Sequence, residues 1–260
     1  MKQYIPGDVL LYTNLLELYC TNMVDEEYRE NVCEFMCLDT MEQRFRDTRV
    51  LFCEHQGKQA EWERIILAPA KWDCNGKLEK VVFAVLNITE QKQREEKMQY
   101  KIEHDELTGT LSRTAFNRAT EILENSEEPF AFVLLDIDKF KTINDTYGHD
   151  VGDAVLSCLV SVLNRKIGLS GRLFRLGGDE FAIIMNRLTL EQADYVKQLI
   201  EAVNVLTTSG VDGLPEFSIS AGVTFSDRGY HEMLYRNADQ ALYYTKETGR
   251  RGCTVFEDIK

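Results

Sequence analysis

The run FRLGGDEFAII, Phe174 to Ile184, constrains the fold more than any other part of this chain. Two apolar segments of strand length flank a Gly177-Gly178 pair, and a two-residue reversal needs positive φ, which glycine adopts at little cost. The segment therefore reads as a strand–turn–strand hairpin. That reading explains the apolar flanks and the glycines, but not Asp179 and Glu180, which fall at and just after the tip. One carboxylate at a turn is routine. Two adjacent ones point to a cation, a substrate or water.

Strands and helices alternate around the hairpin, from about Glu103 to Lys260. RTAFNRATEILENS reads as a helix and FAFVLLDID as a buried strand. DVGDAVLSCLVSVLNRK is helical, with Val151, Val155, Leu159 and Val162 on one face. After the hairpin, TLEQADYVKQLIEAVNVL opens on a Thr189–Gln192 capping box. EFSISAGVTF is a strand, HEMLYRNADQALYYTKETG a helix ending at Gly249, and CTVFE a last strand. The order is α/β with an antiparallel hairpin in its middle.

The N-terminal part has a different texture. Residues 1–48 read as mainly helical, then RVLFCEH, EWERIILAPAKW and LEKVVFAVLNI read as strands. Asn75-Gly76 between the last two predicts a tight hairpin turn. Asn87 with Glu90 predicts a capping box starting a charged helix with a thin apolar line through Ile88, Met98 and Ile102. That helix is either a solvated connector or one strand of a parallel two-chain coil.

A net charge of −13 argues against a nucleic-acid polymer as partner, which would need a basic stripe to displace counterions. The apolar run VVFAVL, Val81 to Leu86, is too short to span a bilayer, and no secretion-leader pattern is present. The seven cysteines include no CxxC pair. Cys33 and Cys37, four apart in a helical stretch, are expected to share a face as small buried hydrophobes, with a metal or redox pair as the alternative. The expectation is a reduced cytoplasmic protein.

The chemistry concentrates in LLDIDKFKTINDTYGHDVGD, Leu134 to Asp153. Asp136 and Asp138 follow a buried strand and alternation puts them on one face. Together with the hairpin acids they would repel unless a divalent cation lay between them, and Mg²⁺ favours a few carboxylates beside phosphate oxygens. Lys139, Lys141, Lys246 and Arg250 suit a polyphosphate, although Lys246 and Arg250, four apart on a helix, are also what a solvated face carries. Asn144 and Asp153 suggest a base. Guanine offers N1–H and N2–H₂ donors side by side to a carboxylate, whereas adenine presents an acceptor at N1. Each is equally a turn or cap residue when taken alone.

Five blocks in order, DELTGTLSR, LLDIDKFKTINDTYGHDVGD, RLGGDEF, SISAGV and ADQALYYTKETGR, resemble the GGDEF-domain diguanylate cyclases. The resemblance implies a palm-like, ferredoxin-like fold, α/β (α+β), with a mostly antiparallel central sheet flanked by helices and the site at the hairpin. It implies that two GTP molecules, one on each of two facing domains, condense to cyclic di-GMP and two pyrophosphates. By position, Asp136 and Asp179 match metal ligands for Mg²⁺ or Mn²⁺, with the Ile137 carbonyl as a third. Glu180 matches the other motif acid, near the metal or the 3′-hydroxyl. Asn144 and Asp153 match guanine readers. Lys141, Lys246 and Arg250 match triphosphate contacts, Lys139 and Phe140 add backbone N–H groups, and Gly177 and Gly178 make room for the second nucleotide. Such a protein is expected to work as a homodimer through the cyclase faces and the linker helix.

A second resemblance covers roughly residues 45–97, where strands closing on VLNITEQKQREE look like the C-terminal half of a PAS sensor domain; the opening half of that pattern has no match. The expected organisation is a PAS-like domain over 1–87, a linker over 88–104 and the cyclase domain over 105–260. Many family members carry an inhibitory RxxD product site, and here its places hold Gly168 and Gly171. Arg251 stands where the family usually has Asn. The competing readings are a catalytically silent module that binds GTP or signals by contact, and a mixed-nucleotide cyclase; retention of Asp153 speaks against the latter.

Overall fold

The structure, a computed structural model, describes residues 12–210 and 213–259. The share of the helical reading that falls on residues 1–11 lies outside them. The chain separates into two compact units, Met1–Lys97 and Met98–Lys260.

In the first unit, helices α1 (Tyr12–Asn22), α2 (Arg29–Phe35) and α3 (Leu38–Asp47) precede an antiparallel meander of β1 (Leu51–Gln56), β2 (Trp62–Trp72) and β3 (Leu78–Asn87). Ile65 and Leu67 of β2 are fully buried against Tyr19, Val32, Met36, Met41 and Phe45 from the helices, which is what the alternation on that strand and the helical periodicity require. The β2–β3 connection is not the expected two-residue Asn-Gly turn. It is a loop over residues 73–77, organised by Asp73, whose carboxylate accepts from the backbone N–H groups of Asn75 and Lys77 at 2.8 Å. A short acceptor inside the loop competes successfully with the tighter reversal.

Helix α4 (Thr89–Glu103) carries the chain onward. Asn87 accepts from the Thr89 N–H at 2.9 Å, but Glu90 pairs with Arg94, one turn along, so the capping box does not close. Cys33 and Cys37 also fall differently from the expectation. Helix α2 stops at Phe35 and Cys37 turns extended as the cap of α3, so the pair shares no helix face, and Cys33 is exposed rather than buried.

The second unit is a six-stranded sheet in the order β4-β6-β7-β5-β8-β9: β4 (Leu111–Ser112), β5 (Phe130–Ile137), β6 (Gly171–Gly177), β7 (Glu180–Asn186), β8 (Ile219–Ser226) and β9 (Gly252–Val255). The four central strands pair antiparallel, and β4 and β9 add parallel edges. The helices are α5 (Arg113–Leu123), α6 (Phe140–Tyr147), α7 (His149–Ile167), α8 (Ala193–Thr208) and α9 (Glu232–Glu247). Strand β5, helix α7, strands β6 and β7, helix α8 and strand β8 form a ferredoxin-like split βαβ arrangement. The helix α6 and the edge strand β4 have no counterpart in the sequence reading. Both are short, and α6 starts behind a left-handed Lys139 rather than a recognisable polar cap.

Strand β5 is buried on both faces. Ala131, Val133, Leu135 and Ile137 pack with α7 and α8. Phe130, Phe132 and Leu134 pack with α5 and α9. Helix α9 lies unusually close to the sheet at Gly222, where a Cβ would meet the Ala238 carbonyl oxygen at 2.1 Å and the Leu242 nitrogen at 2.2 Å. Thr245 fixes the same helix by donating to the Ala221 carbonyl at 2.8 Å.

Candidate active site

Asp136 is the penultimate residue of β5 and continues the Phe130–Phe132–Leu134 face. Its antiparallel partners are Glu180 on β7 and Ser220 on β8. Directly opposed residues in such a ladder have neighbouring side chains on one face, so Asp136 and Glu180 are brought together from 44 positions apart in sequence. Asp179 stands in the turn just before. That turn is Gly178-Asp179 rather than Gly177-Gly178, because Gly177 pairs with Glu180 after a register shift at Arg175. Both glycines hold positive φ, 146° and 55°.

Burial pushes the Asp136 carboxyl above the usual carboxylate range, and the charges of Asp179 and Glu180 push the same way, while Lys246 opposes them. Lys246 Nζ reaches Asp136 Oδ2 at 2.9 Å from the last turn of α9. The site thus sets Asp179 and Glu180 beside a half-buried Asp136 that Lys246 already engages. Among the described residues no three His, Cys, Asp or Glu side chains form a metal cage by themselves. Asp136 near the end of β5, with Glu180 opposite and Asp179 in the adjoining turn, is a set of hard oxygen donors, and a divalent cation there would need further oxygens from its substrate.

Asp138 has a different role from its neighbour. It is buried, and it accepts from the hydroxyls of Ser218 and Ser220 at 2.6 Å each and from the Arg251 N–H at 3.1 Å. Its two oxygens accept three hydrogen bonds, so it acts as a clamp between loops. It ties the turn through Lys139 to the turn through Arg250 and Arg251. All three of those residues have positive φ, at 57°, 62° and 52°, a conformation that side-chain-bearing residues hold only where surroundings enforce it. Lys139, Lys141 and Arg250 keep their side chains exposed there.

Asn144 of α6 lies against α7 at Gly152, the residue before the exposed Asp153. An added Cβ at Gly152 would lie 1.9 Å from Asn144 Oδ1 and 3.4 Å from the Phe140 ring, so the amide rests on the first turns of α7. Only glycine permits that approach.

The hairpin is braced by residues to which the sequence reading gave no role. Arg175 Nη1 donates to Asp105 at 2.8 Å, and its Nε and Nη2 donate to the Gly178 carbonyl at 3.0 and 2.8 Å. Thr108 donates to the same Asp105 oxygen through both its N–H and hydroxyl. Burial tends to raise the Asp105 carboxyl, but the Arg175 and Thr108 hydrogen bonds outweigh it and hold it below the usual range. Arg113 adds a bond to the Leu176 carbonyl at 2.6 Å. Asp105, Arg113 and Arg175 sit in two of the recognised blocks, but their pairing, across 70 positions for Asp105 and Arg175, is a tertiary fact.

Comparison with known proteins then bears on the whole arrangement. The family model described as "Diguanylate cyclase, GGDEF domain" matches residues 102–252. The diguanylate cyclase DgcM of Escherichia coli K12 is 36% identical over 171 residues, covering 64% of this chain and 41% of DgcM. The probable diguanylate cyclase DgcE of the same organism is 32% identical over 183 residues, 68% of this chain and 17% of DgcE. The chain therefore spans less than half the length of these curated relatives. Among solved structures, the coiled coil and GGDEF domain of DgcB from Caulobacter crescentus, in complex with c-di-GMP, superposes with a TM-score of 0.58 at 29% identity, covering 65% of this chain and 93% of that one. Diguanylate cyclase SiaD from Pseudomonas aeruginosa, in complex with its activator SiaC, gives 0.53 at 27%, covering 64% and 67%.

Proposed function

The chain belongs to the GGDEF family of diguanylate cyclases, and from that premise we propose that it condenses two GTP molecules to cyclic di-GMP and two pyrophosphates in a homodimer. The observation that carries the proposal is the convergence of Asp136, Asp179 and Glu180 at one sheet end, with Lys246 on Asp136.

In this reading Asp136, Asp179 and the Ile137 carbonyl hold magnesium or manganese. When bound, the ion supplies charge neutralisation for the triphosphate and lowers the pKa of the attacking hydroxyl. Glu180 assists at the metal or orients the 3′-hydroxyl. Lys141, Lys246 and Arg250, with the backbone N–H groups of Lys139 and Phe140, hold the phosphates. Asn144 and Asp153 take the guanine edge, Asp153 accepting from N1–H and N2–H₂. In each half-reaction the 3′-oxygen of one GTP bonds to the α-phosphorus of the other and pyrophosphate leaves. Gly177 and Gly178 leave the hairpin backbone open to the second nucleotide. Each protomer holds one GTP, so an isolated monomer is nearly inactive. Residues 1–87 act as a PAS-like regulatory domain, 88–104 as the linker helix and 105–260 as the cyclase domain.

The test is incubation of the dimeric full chain with GTP and Mg²⁺, with chromatographic detection of cyclic di-GMP. Asp179→Ala should lower turnover by about 100-fold or more with little change in melting temperature, since Asp179 lies in a turn and is only partly buried. Absence of product from a confirmed dimer would identify a silent module, and ATP incorporation would identify a mixed-nucleotide cyclase.

A further inference from the structure

Helices α1 and α2 bring two sulfurs together that the sequence spacing hides. Cys33 Sγ lies 3.2 Å from Cys20 Sγ, although the residues are 13 apart and in different helices. A covalent bond needs about 2.0 Å, so closure asks for a relative movement of about 1.2 Å, which rotamer adjustment on an exposed helix can supply. The partners are asymmetric. Cys33 is exposed to solvent, whereas Cys20 is only 5% exposed. Burial and the Cys33 neighbour push the Cys20 thiol up to about 12, with the Arg29 charge pulling against them. Cys37, nearer in sequence, stands across a helix break. Two thiols without a third ligand do not make a metal site, and no such trio occurs among the described residues.

We propose that Cys20 and Cys33 are an oxidisable dithiol, which a peroxide converts into a disulfide joining α1 to α2. The exposed Cys33 sulfur attacks a peroxide oxygen, the O–O bond breaks, and a sulfenic acid and one water form. The Cys20 sulfur then attacks Cys33 Sγ, the S–O bond breaks, and hydroxide leaves with the Cys20 proton as a second water. Two thiols lose two electrons and hydrogen peroxide gains them. A thiol reductant reverses the bond by exchange. The bridge reaches the interior of the unit, because the adjoining Tyr19 hydroxyl is bonded to buried His55 and to Glu63, at 2.9 Å each. Oxidation thereby locks α2 to the helix that anchors β1 and β2.

The experiment uses the reduced full chain, treated with a small molar excess of hydrogen peroxide, acid-quenched and alkylated, and needs no nucleotide. Cleavage after Arg29 separates Cys20 from Cys33, and cleavage after Glu34 separates Cys33 from Cys37. The expected result is a linked Cys20–Cys33 peptide pair, lighter by two hydrogens, with loss of two of the seven thiols and recovery of both by dithiothreitol. Cys33→Ser should lose none over the same interval, and Cys37→Ser should behave as the parent. A Cys33–Cys37 bridge, a bond between two chains, Cys33 ending as sulfinic acid beside reduced Cys20, or no reaction would each overturn the proposal.

Discussion

Gly222 offers the sharpest test of how the fold sets the site. In Gly222→Ala the new Cβ would lie 2.1 Å from the Ala238 oxygen, 2.2 Å from the Leu242 nitrogen and 2.8 Å from the Ala241 carbonyl carbon. All three are backbone atoms, so no rotamer relieves the clash. Restoring an ordinary contact of about 3.4 Å pushes α9 off the sheet by about 1.3 Å, and overpacking of this kind costs about 1–3 kcal/mol. For a unit of this size each kcal/mol lowers the melting temperature by roughly 2–4 °C, so a fall of roughly 2–12 °C is expected. The same movement carries Lys246 away from Asp136, opening a 2.9 Å contact beyond ion-pair reach. A charge-assisted hydrogen bond is worth about 1.5–3 kcal/mol, which corresponds to about 10- to 150-fold in turnover if it acts in the transition state. Calorimetry and cyclic di-GMP formation measure the two effects. Lys246→Met serves as the companion, with lowered turnover and a much smaller thermal shift. An alanine variant that melts within about 1 °C of the parent and turns over normally would refute the argument that this glycine sets the helix position.

Three further outcomes follow from the same geometry. Asp153→Ala should narrow the preference for GTP over ATP by about tenfold or more, read by direct competition, because it removes the acceptor that adenine cannot satisfy; an unchanged ratio would contradict the guanine assignment. Asp138→Ala should destabilise the second unit by about 2–3 kcal/mol, since two serine hydroxyls and the Arg251 N–H lose a buried charged acceptor, and the apparent KM for GTP should rise as the Arg250 turn loosens. Asp105 has a folded-state pKa below its unfolded value, so its contribution is complete above about pH 4 and disappears as pH falls through the lowered folded value. Asp105→Asn should therefore be less stable than the parent near neutrality, by about 1 kcal/mol given its partial exposure, with the difference shrinking in acid denaturation series.

Much of the second unit was legible because its signals are local. The apolar run of β5, the periodicity of α7, the Thr189–Gln192 capping box and the hairpin each rest on neighbouring residues, and each appears in the structure. The misses have physical causes. Helix α6 is short and lacks a polar cap, and Asp73 redirects the Asn75-Gly76 turn by accepting two backbone N–H groups. The Cys33–Cys37 pairing failed because helical spacing says nothing about where a helix stops.

The chain by itself determined which side chains carry charge at the hairpin and at the end of β5, since strand alternation and glycine turns are written in adjacent residues. Tertiary structure alone decided that Glu180 faces Asp136, that Asp138 clamps Ser218, Ser220 and Arg251, that Arg175 braces the tip through Asp105, and that Lys246 reaches Asp136 from a helix seated on Gly222. Those relations depend on strand register and on the closeness of a helix to a sheet, and both are settled by packing between residues far apart in sequence.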